Sequence, residues 1–222
     1  MRKKFRVVQR VEFIKQICKG KKVLHLGCTN SPYTDESLRN NMLLHLDLAG
    51  IAGRLVGFDY EQADLDKLSS FGVKDLYRAD LEDLDAVELE ETFDIILGGE
   101  MIEHLSNPGL FLKGIKRFMT ADTQLVITTI NAYCAMRFLI YGLRGKRGEN
   151  EPVHPDHVAY YSYRTLTLTL ERAGLSVDDF LFYDIGVEHR PFNRWFYNVF
   201  NDAAVRLCPQ LSDGIIAVAS NK

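Results

Sequence analysis

Apolar runs in this chain repeatedly end in glycine, carboxylate or histidine, and those ends are where chemistry could be built. Lys22-Val23-Leu24-His25-Leu26 stops at Gly27 and continues as Cys28-Thr29-Asn30-Ser31. Glycine at the end of a first strand lets a nucleotide-like ligand approach the backbone, although such a glycine also reads as a plain turn. Leu55-Val56-Gly57-Phe58 then ends in Asp59-Tyr60. A carboxylate there can accept both hydroxyls of a ribose, having two acceptor oxygens and no donor; it can equally cap the helical run from Glu61 to Leu68. Arg78-Ala79-Asp80-Leu81 repeats the arrangement. Three such turns at successive strand ends are harder to explain as caps than any one alone, and together they read as a ribose and adenine cradle.

Histidines supply the second set. His104 follows Glu100-Met101-Ile102-Glu103, and His154-Pro155-Asp156-His157 lies farther along. Histidine suits general base work near neutral pH, and Asp156 could orient a ring. His104 also reads as a residue that holds its loop by hydrogen bonds, and His157 as structural. Glu103 sits at a helix start, where a carboxylate is ordinarily solvated or capping; binding a cation beside a histidine, or catalysis, is the alternative. The spacing His154-x-x-His157 lacks helical register and a clear third ligand, so no metal set is assigned.

These residues need a scaffold that gathers strand ends. Strand-like runs fall at Lys22 to Leu26, Arg54 to Phe58, Lys74 to Ala79, Phe93 to Gly98, Thr123 to Ile130, Val177 to Tyr183 and Gly214 to Ala219. Helical patterns alternate with them, as in parallel βαβ units. Asn107-Pro108 is a capping residue with proline at the first helical position, and Phe111, Ile115, Phe118 and Met119 follow at helical spacing. Residues 1–20 read as an amino-terminal helix. Phe192, Trp195, Phe196, Val199, Phe200, Ala203 and Leu207 form an aromatic stripe within a helical insertion over 190–208. The stripe is expected to pack on the sheet, with a substrate lid, a dimer face or a membrane-surface contact as alternatives. Residues 132–160 break the rhythm with the basic run Arg144, Lys146, Arg147 and read as a segment covering the site. The whole chain, 1–222, is expected to be one domain.

Phe93-Asp94-Ile95-Ile96-Leu97-Gly98-Gly99-Glu100-Met101-Ile102-Glu103-His104-Leu105, followed by Ser106-Asn107-Pro108, resembles the segment after the fourth strand of class I S-adenosylmethionine-dependent methyltransferases. Leu125 to Ala132 is similar to that family's fifth strand, and Asp156 to Leu175 to the helix and strand that follow. The resemblance implies an α/β three-layer αβα sandwich on a seven-stranded, mostly parallel sheet, with the last strand antiparallel and inserted beside the sixth. It implies S-adenosylmethionine as cofactor: Gly27, Cys28 and Asn30 near the methionine moiety, Asp59 and Tyr60 at the ribose, Asp80 and Leu81 at the adenine, Gly99 and Glu100 near the sulfonium. Two departures stand out. Cys28, Thr29, Asn30 and Ser31 replace further glycines, so Asn30 or Ser31 could bond through side chains, and His25 replaces an acidic residue of the first strand.

Methyl transfer displaces an already activated sulfonium, so it requires positioning and dryness rather than a metal, while a hydroxyl acceptor wants a base such as His157, His104 or His154. The covering segment is similar to those of methyltransferases of surface polysaccharide or glycoconjugate synthesis, making a glycan or other small-molecule hydroxyl the expected acceptor. A quinone or lipid-like acceptor, and a non-catalytic cofactor-binding protein of the same fold, are the alternatives. The 27 Lys and Arg against 30 Asp and Glu give a net charge of −3, which disfavours nucleic acid as partner. Apolar runs are too short to span a bilayer, and the charged amino terminus lacks a signal-peptide pattern, so a cytoplasmic location is expected. Cys18, Cys28, Cys134 and Cys208 show no C-x-x-C pair and read as reduced thiols.

Overall fold

The computed structural model describes residues 5–142, 156–186 and 190–222. Eight strands form one sheet: β1 (Val7–Val8), β2 (Lys22–Leu26), β3 (Arg54–Asp59), β4 (Leu76–Arg78), β5 (Phe93–Gly99), β6 (Met119–Ile130), β7 (Leu175–Tyr183) and β8 (Gly214–Asn221). Their spatial order is β1-β7-β8-β6-β5-β2-β3-β4. All neighbours pair parallel except β8, which runs antiparallel between β6 and β7.

The seven expected strands are present, with adjusted ends. β4 is shorter than the run 74–79 because Asp75 has φ +55, outside extended backbone. The eighth strand corrects the sequence reading. Val7 and Val8 pair with Phe182 and Tyr183, so part of the segment read as helix is strand, and the helix α1 is confined to Arg10–Cys18. Two residues leave no alternation to read, and their partner strand lies at the far end of the chain.

Continuous apolar strands follow from burial on both faces. Alternate residues enter two separate cores: Leu24, Leu26, Phe58, Phe111, Phe118, Leu166 and Phe182 on one side, Ile14, Val23, Leu48, Leu97, Val126 and Ile216 on the other. The helices are α2 (Thr34–Arg39), α3 (Leu44–Ala49), α4 (Gln62–Ser70), α5 (Pro108–Gly114), α6 (Ala135–Arg137), α7 (Tyr163–Arg172) and α8 (Trp195–Leu207). α5 starts as its sequence predicts, with the Asn107 side chain accepting from the Leu110 amide and Phe111 fully buried. Ser162 caps α7 in a reciprocal box with Thr165.

The aromatic stripe does not pack as expected. Trp195 is 75% exposed and Leu207 85%, and Phe196, Val199 and Phe200 are exposed as well. The buried residue of α8 is Asn201, whose amide donates to Asp184 Oδ1 at 2.8 Å. The helix is thus seated by its polar side, and its apolar side faces outward. Among the described residues no helix is long and apolar enough to cross a membrane.

Candidate functional site

β2, β3, β4 and β5 end together at one edge of the sheet, the edge where open α/β sheets bind ligands. The first turn there is held by hydrogen bonds rather than by glycines. Gly27 adopts φ +69, a conformation glycine takes without Cβ strain, and its amide donates to Phe58 O at 2.9 Å. Cys28 is buried, its thiol facing inward; burial and the charge of Asp59 push its pKa up, so only its backbone can meet a ligand. Asn30 has φ +62, and its side chain turns to Ser37 Oγ at 2.7 Å, tying the loop to α2.

Asp59, at the end of β3, is 8% exposed. Its Oδ2 accepts from the Thr29 amide at 2.9 Å and the Thr29 hydroxyl at 2.8 Å, and its Oδ1 accepts from the Glu61 amide at 3.2 Å. The carboxylate does not cap α4, whose N-cap is Glu61 without a side-chain cap bond; it braces the approach to that helix, and Oδ1 retains acceptor capacity. Thr29 escaped the sequence reading; a hydroxyl residue two positions after the turn glycine was the available signal. Beside it, Tyr60 is exposed with the Arg78 guanidinium 5.2 Å from its ring centroid. Asp80 is exposed and accepts from the Glu82 amide, and Leu81 is half-buried against the core.

The β5 end is built differently. Gly99 is half-buried and open, whereas Glu100 takes φ +53 and turns its side chain toward the other half of the sheet. Its Oε1 accepts from the Tyr183 hydroxyl at 2.6 Å and from Thr128 Oγ1 at 3.1 Å. The backbone of Gly99 and Glu100, more than the Glu100 carboxylate, is left to line the central edge. This cross-sheet tie was not legible locally, because its partners sit on β6 and β7.

After Glu100 the chain makes a single 3-10 turn, Ile102–His104. Glu103 is fully buried, neither solvated nor capping as its position suggested. Neither carboxylate oxygen has a hydrogen-bond partner. Burial, with the charge of Glu100, pushes its pKa up to about 8; Thr129 and the Ile130 amide offset part of this without reaching bonding geometry. The Glu103 carbonyl accepts from the amides of Val158 and Ala159 at 2.9 and 3.2 Å. Those two bonds bring residues 157–159 onto the turn, and the His157 ring stands edge-on to His104 with centroids 4.5 Å apart. One ligand atom each from Glu103, His104 and His157 lies within 4.8 Å of the others. His157 thus gathers with Glu103 and His104, a set different from the His154-x-x-His157 pair weighed from sequence. His154, Arg144, Lys146 and Arg147 lie outside the described residues.

A family described as "Methyltransferase domain" matches residues 3–179. The chain is similar to a ubiquinone biosynthesis O-methyltransferase of Bradyrhizobium diazoefficiens (23% identity, 72% of this chain and 64% of that protein). It is also similar to (S)-coclaurine N-methyltransferase of Papaver somniferum (30% identity, 72% of this chain and 41% of that protein). The chain thus spans less than two thirds of the length of these relatives. A solved S-adenosylmethionine-dependent methyltransferase from Archaeoglobus fulgidus shares the fold, with TM-score 0.59 at 17% identity over 95% of this chain and 94% of that one.

Proposed function

Starting from the chain's membership of the class I S-adenosylmethionine-dependent methyltransferase family, we propose that it methylates a hydroxyl oxygen of a small molecule. The activity class and the cofactor are those of the family; the acceptor is the new element of this reading. The observation that carries it is the Glu103, His104 and His157 cluster at the end of β5. An amine acceptor arrives with its lone pair once deprotonated, whereas a hydroxyl must be relieved of its proton near neutral pH, which is the work such a cluster suits.

The cofactor contacts proposed are Gly27, Cys28 and Asn30 through the first turn, Asp59 and Tyr60 at the ribose, Asp80 and Leu81 at the adenine, and the Gly99–Glu100 backbone beside the sulfonium. All lie on one sheet edge, and Asp59 with Thr29 gives the first turn a fixed shape before ligand arrives. Preorganisation of this kind matters because in-line displacement depends on holding donor carbon and acceptor oxygen at attack distance while water is excluded. His104 and His157 are assigned to the acceptor side, and His154 is kept, from sequence alone, as a further candidate base.

A phenolic or quinol-type acceptor is the favoured class. The outward apolar face of α8, with Trp195, Phe196 and Phe200, supports handling of an apolar molecule, and a relative named for ubiquinone biosynthesis points the same way. A sugar hydroxyl is the competing acceptor, for which the basic run Arg144, Lys146 and Arg147 speaks. A panel of phenols, quinols and glycosides incubated with labelled S-adenosylmethionine decides between them. Methyl ethers of phenols are the expected products; transfer only to glycosides overturns the favoured class, and transfer only to amines overturns the hydroxyl reading.

A further inference from the structure

The buried carboxylate of Glu103 lacks the compensation that buried charges normally have. A fully buried carboxylate with no hydrogen-bond partner is costly unless a counter-charge or a proton meets it. The groups closest in kind are metal ligands: its oxygen and one ring nitrogen each from His104 and His157 lie within 4.8 Å of one another. Two imidazoles and a carboxylate are a donor set that suits borderline first-row divalent cations and leaves positions open for other ligands.

We propose that Glu103, His104 and His157 form a site for one such divalent cation, and that this cation takes the hydroxyl oxygen of the methyl acceptor.

The backbone already does most of the assembly. Glu103 and His104 are consecutive in a tight turn fixed by the His104 amide on Met101 O at 3.1 Å. His157 is delivered by the bonds of its neighbours Val158 and Ala159 to the Glu103 carbonyl. Donor atoms on a metal at roughly 2.1 Å lie about 3 to 3.5 Å apart, so the cluster has to contract by about 1 Å or more, a motion within reach of side-chain torsions. Glu100, whose charge acts on Glu103, adds negative potential that favours a cation. The site opens on the same sheet edge as the Gly27 turn, since β5 and β2 are neighbours.

Bound there, a cation withdraws electron density from the acceptor oxygen, and the hydroxyl proton leaves to bulk water. The oxygen lone pair then forms the O–CH3 bond while the CH3–S bond breaks. Both electrons of that bond stay on sulfur, giving S-adenosylhomocysteine and a methyl ether. The inference rests on the hydroxyl-acceptor reading for this step, but the cation site itself is measurable without acceptor or cofactor.

The full chain is stripped with chelator and titrated with Co²⁺ alone, followed by calorimetry and visible absorption. One cobalt per chain is expected, with affinity reduced tenfold or more in Glu103→Gln, His104→Ala and His157→Ala. Absence of cobalt uptake by the wild type, or uptake unaltered in all three variants, overturns the site. His157→Ala lies on the covering segment outside the sheet and keeps the measurement if Glu103→Gln does not fold. Transfer to a hydroxylated acceptor should stop in stripped protein and return with Co²⁺ or Zn²⁺; transfer that persists without cation overturns the catalytic role. Cobalt bound normally with no transfer to any hydroxyl compound refutes the acceptor reading and leaves the cation site standing.

Discussion

Lowering the pH from 7.5 to 5 should destabilise this protein through one buried pair, His25 on β2 and His45 on α3. Their rings are stacked, with the Nδ1 atoms 3.1 Å apart, and both are buried. That contact needs one ring as donor and the other as acceptor, and burial keeps both rings neutral in the folded state near neutral pH. Burial is the main cause that lowers both pKa values; His45 falls to about 4, and His25 falls well below its ordinary 6.5, with His45 and Arg10 adding to the effect. Above pH 6.5 both are neutral whether folded or not, and they contribute nothing to the pH dependence. Below it the unfolded chain binds protons that the folded chain refuses, so stability falls with pH until the folded pKa is reached. For His45 this amounts to about 2 kcal/mol at pH 5 and about 3 kcal/mol by pH 4, each tenfold change in proton affinity between the two states being worth about 1.4 kcal/mol. His25 adds in the same direction. Glu103 acts oppositely: its raised pKa gives stability present below pH 4.5 and lost as pH rises through about 8. The quantity to measure is therefore the difference between wild type and the double variant His25→Leu/His45→Leu, which removes both polar partners together and leaves neither unsatisfied. Urea midpoints by circular dichroism at pH 7.5 and 5 should show the wild type losing several kcal/mol more than the double variant. Equal losses in both would refute the assignment of acid sensitivity to this pair.

Asp59→Asn should weaken S-adenosylmethionine binding by about 1 to 3 kcal/mol in calorimetry, the scale for hydrogen bonds to a charged group, and Thr29→Val should weaken it less, through the loosened turn alone; unchanged affinity in Asp59→Asn would remove this residue from the cofactor site. His157→Ala should lower turnover with cofactor affinity intact, and an active variant would make the residue structural. Gly214→Ala places a methyl group where the Tyr183 ring lies, so it should cost about 1 to 3 kcal/mol in urea unfolding, as overpacked cores do. The chain's single tryptophan, Trp195, should emit as a solvated indole and be readily quenched by iodide, because it is 75% exposed; a blue-shifted, protected emission would show that α8 is covered.

Features whose cause is local were readable in the sequence. The Asn107-Pro108 start of α5 is carried by the residues at the cap, and the strands around Leu24, Val56, Ile96 and Ile127 are mostly apolar at their centres because both faces are covered. What escaped depends on residues that meet only after folding. Thr29 and Asp59 are thirty positions apart, and the Glu100 tie to Tyr183 crosses from β5 to β7. Glu103 looked like any carboxylate at a helix start; its burial, and the bonds of Val158 and Ala159 to its carbonyl, arise from residues that meet only in the fold. The stripe on α8 showed its period plainly, but period identifies a face and not the side that docks, and Asn201 binding Asp184 reversed the choice.

The position of β8 carries a consequence for assembly. It runs antiparallel between β6 and β7, so β7 and the β1 pair reach the rest of the sheet only through it. The hydroxyl of Tyr183, at the end of β7, joins Thr128 of β6 in steadying the Glu100 side chain beside the β5 turn. Residues 214–221 therefore act as a keystone: the Tyr183 bond to Glu100 at the β5 edge depends on a strand slotted into the middle of the sheet. A chain that lacked this strand would lose the Tyr183–Glu100 bond together with the attachment of β7 and β1 to the sheet.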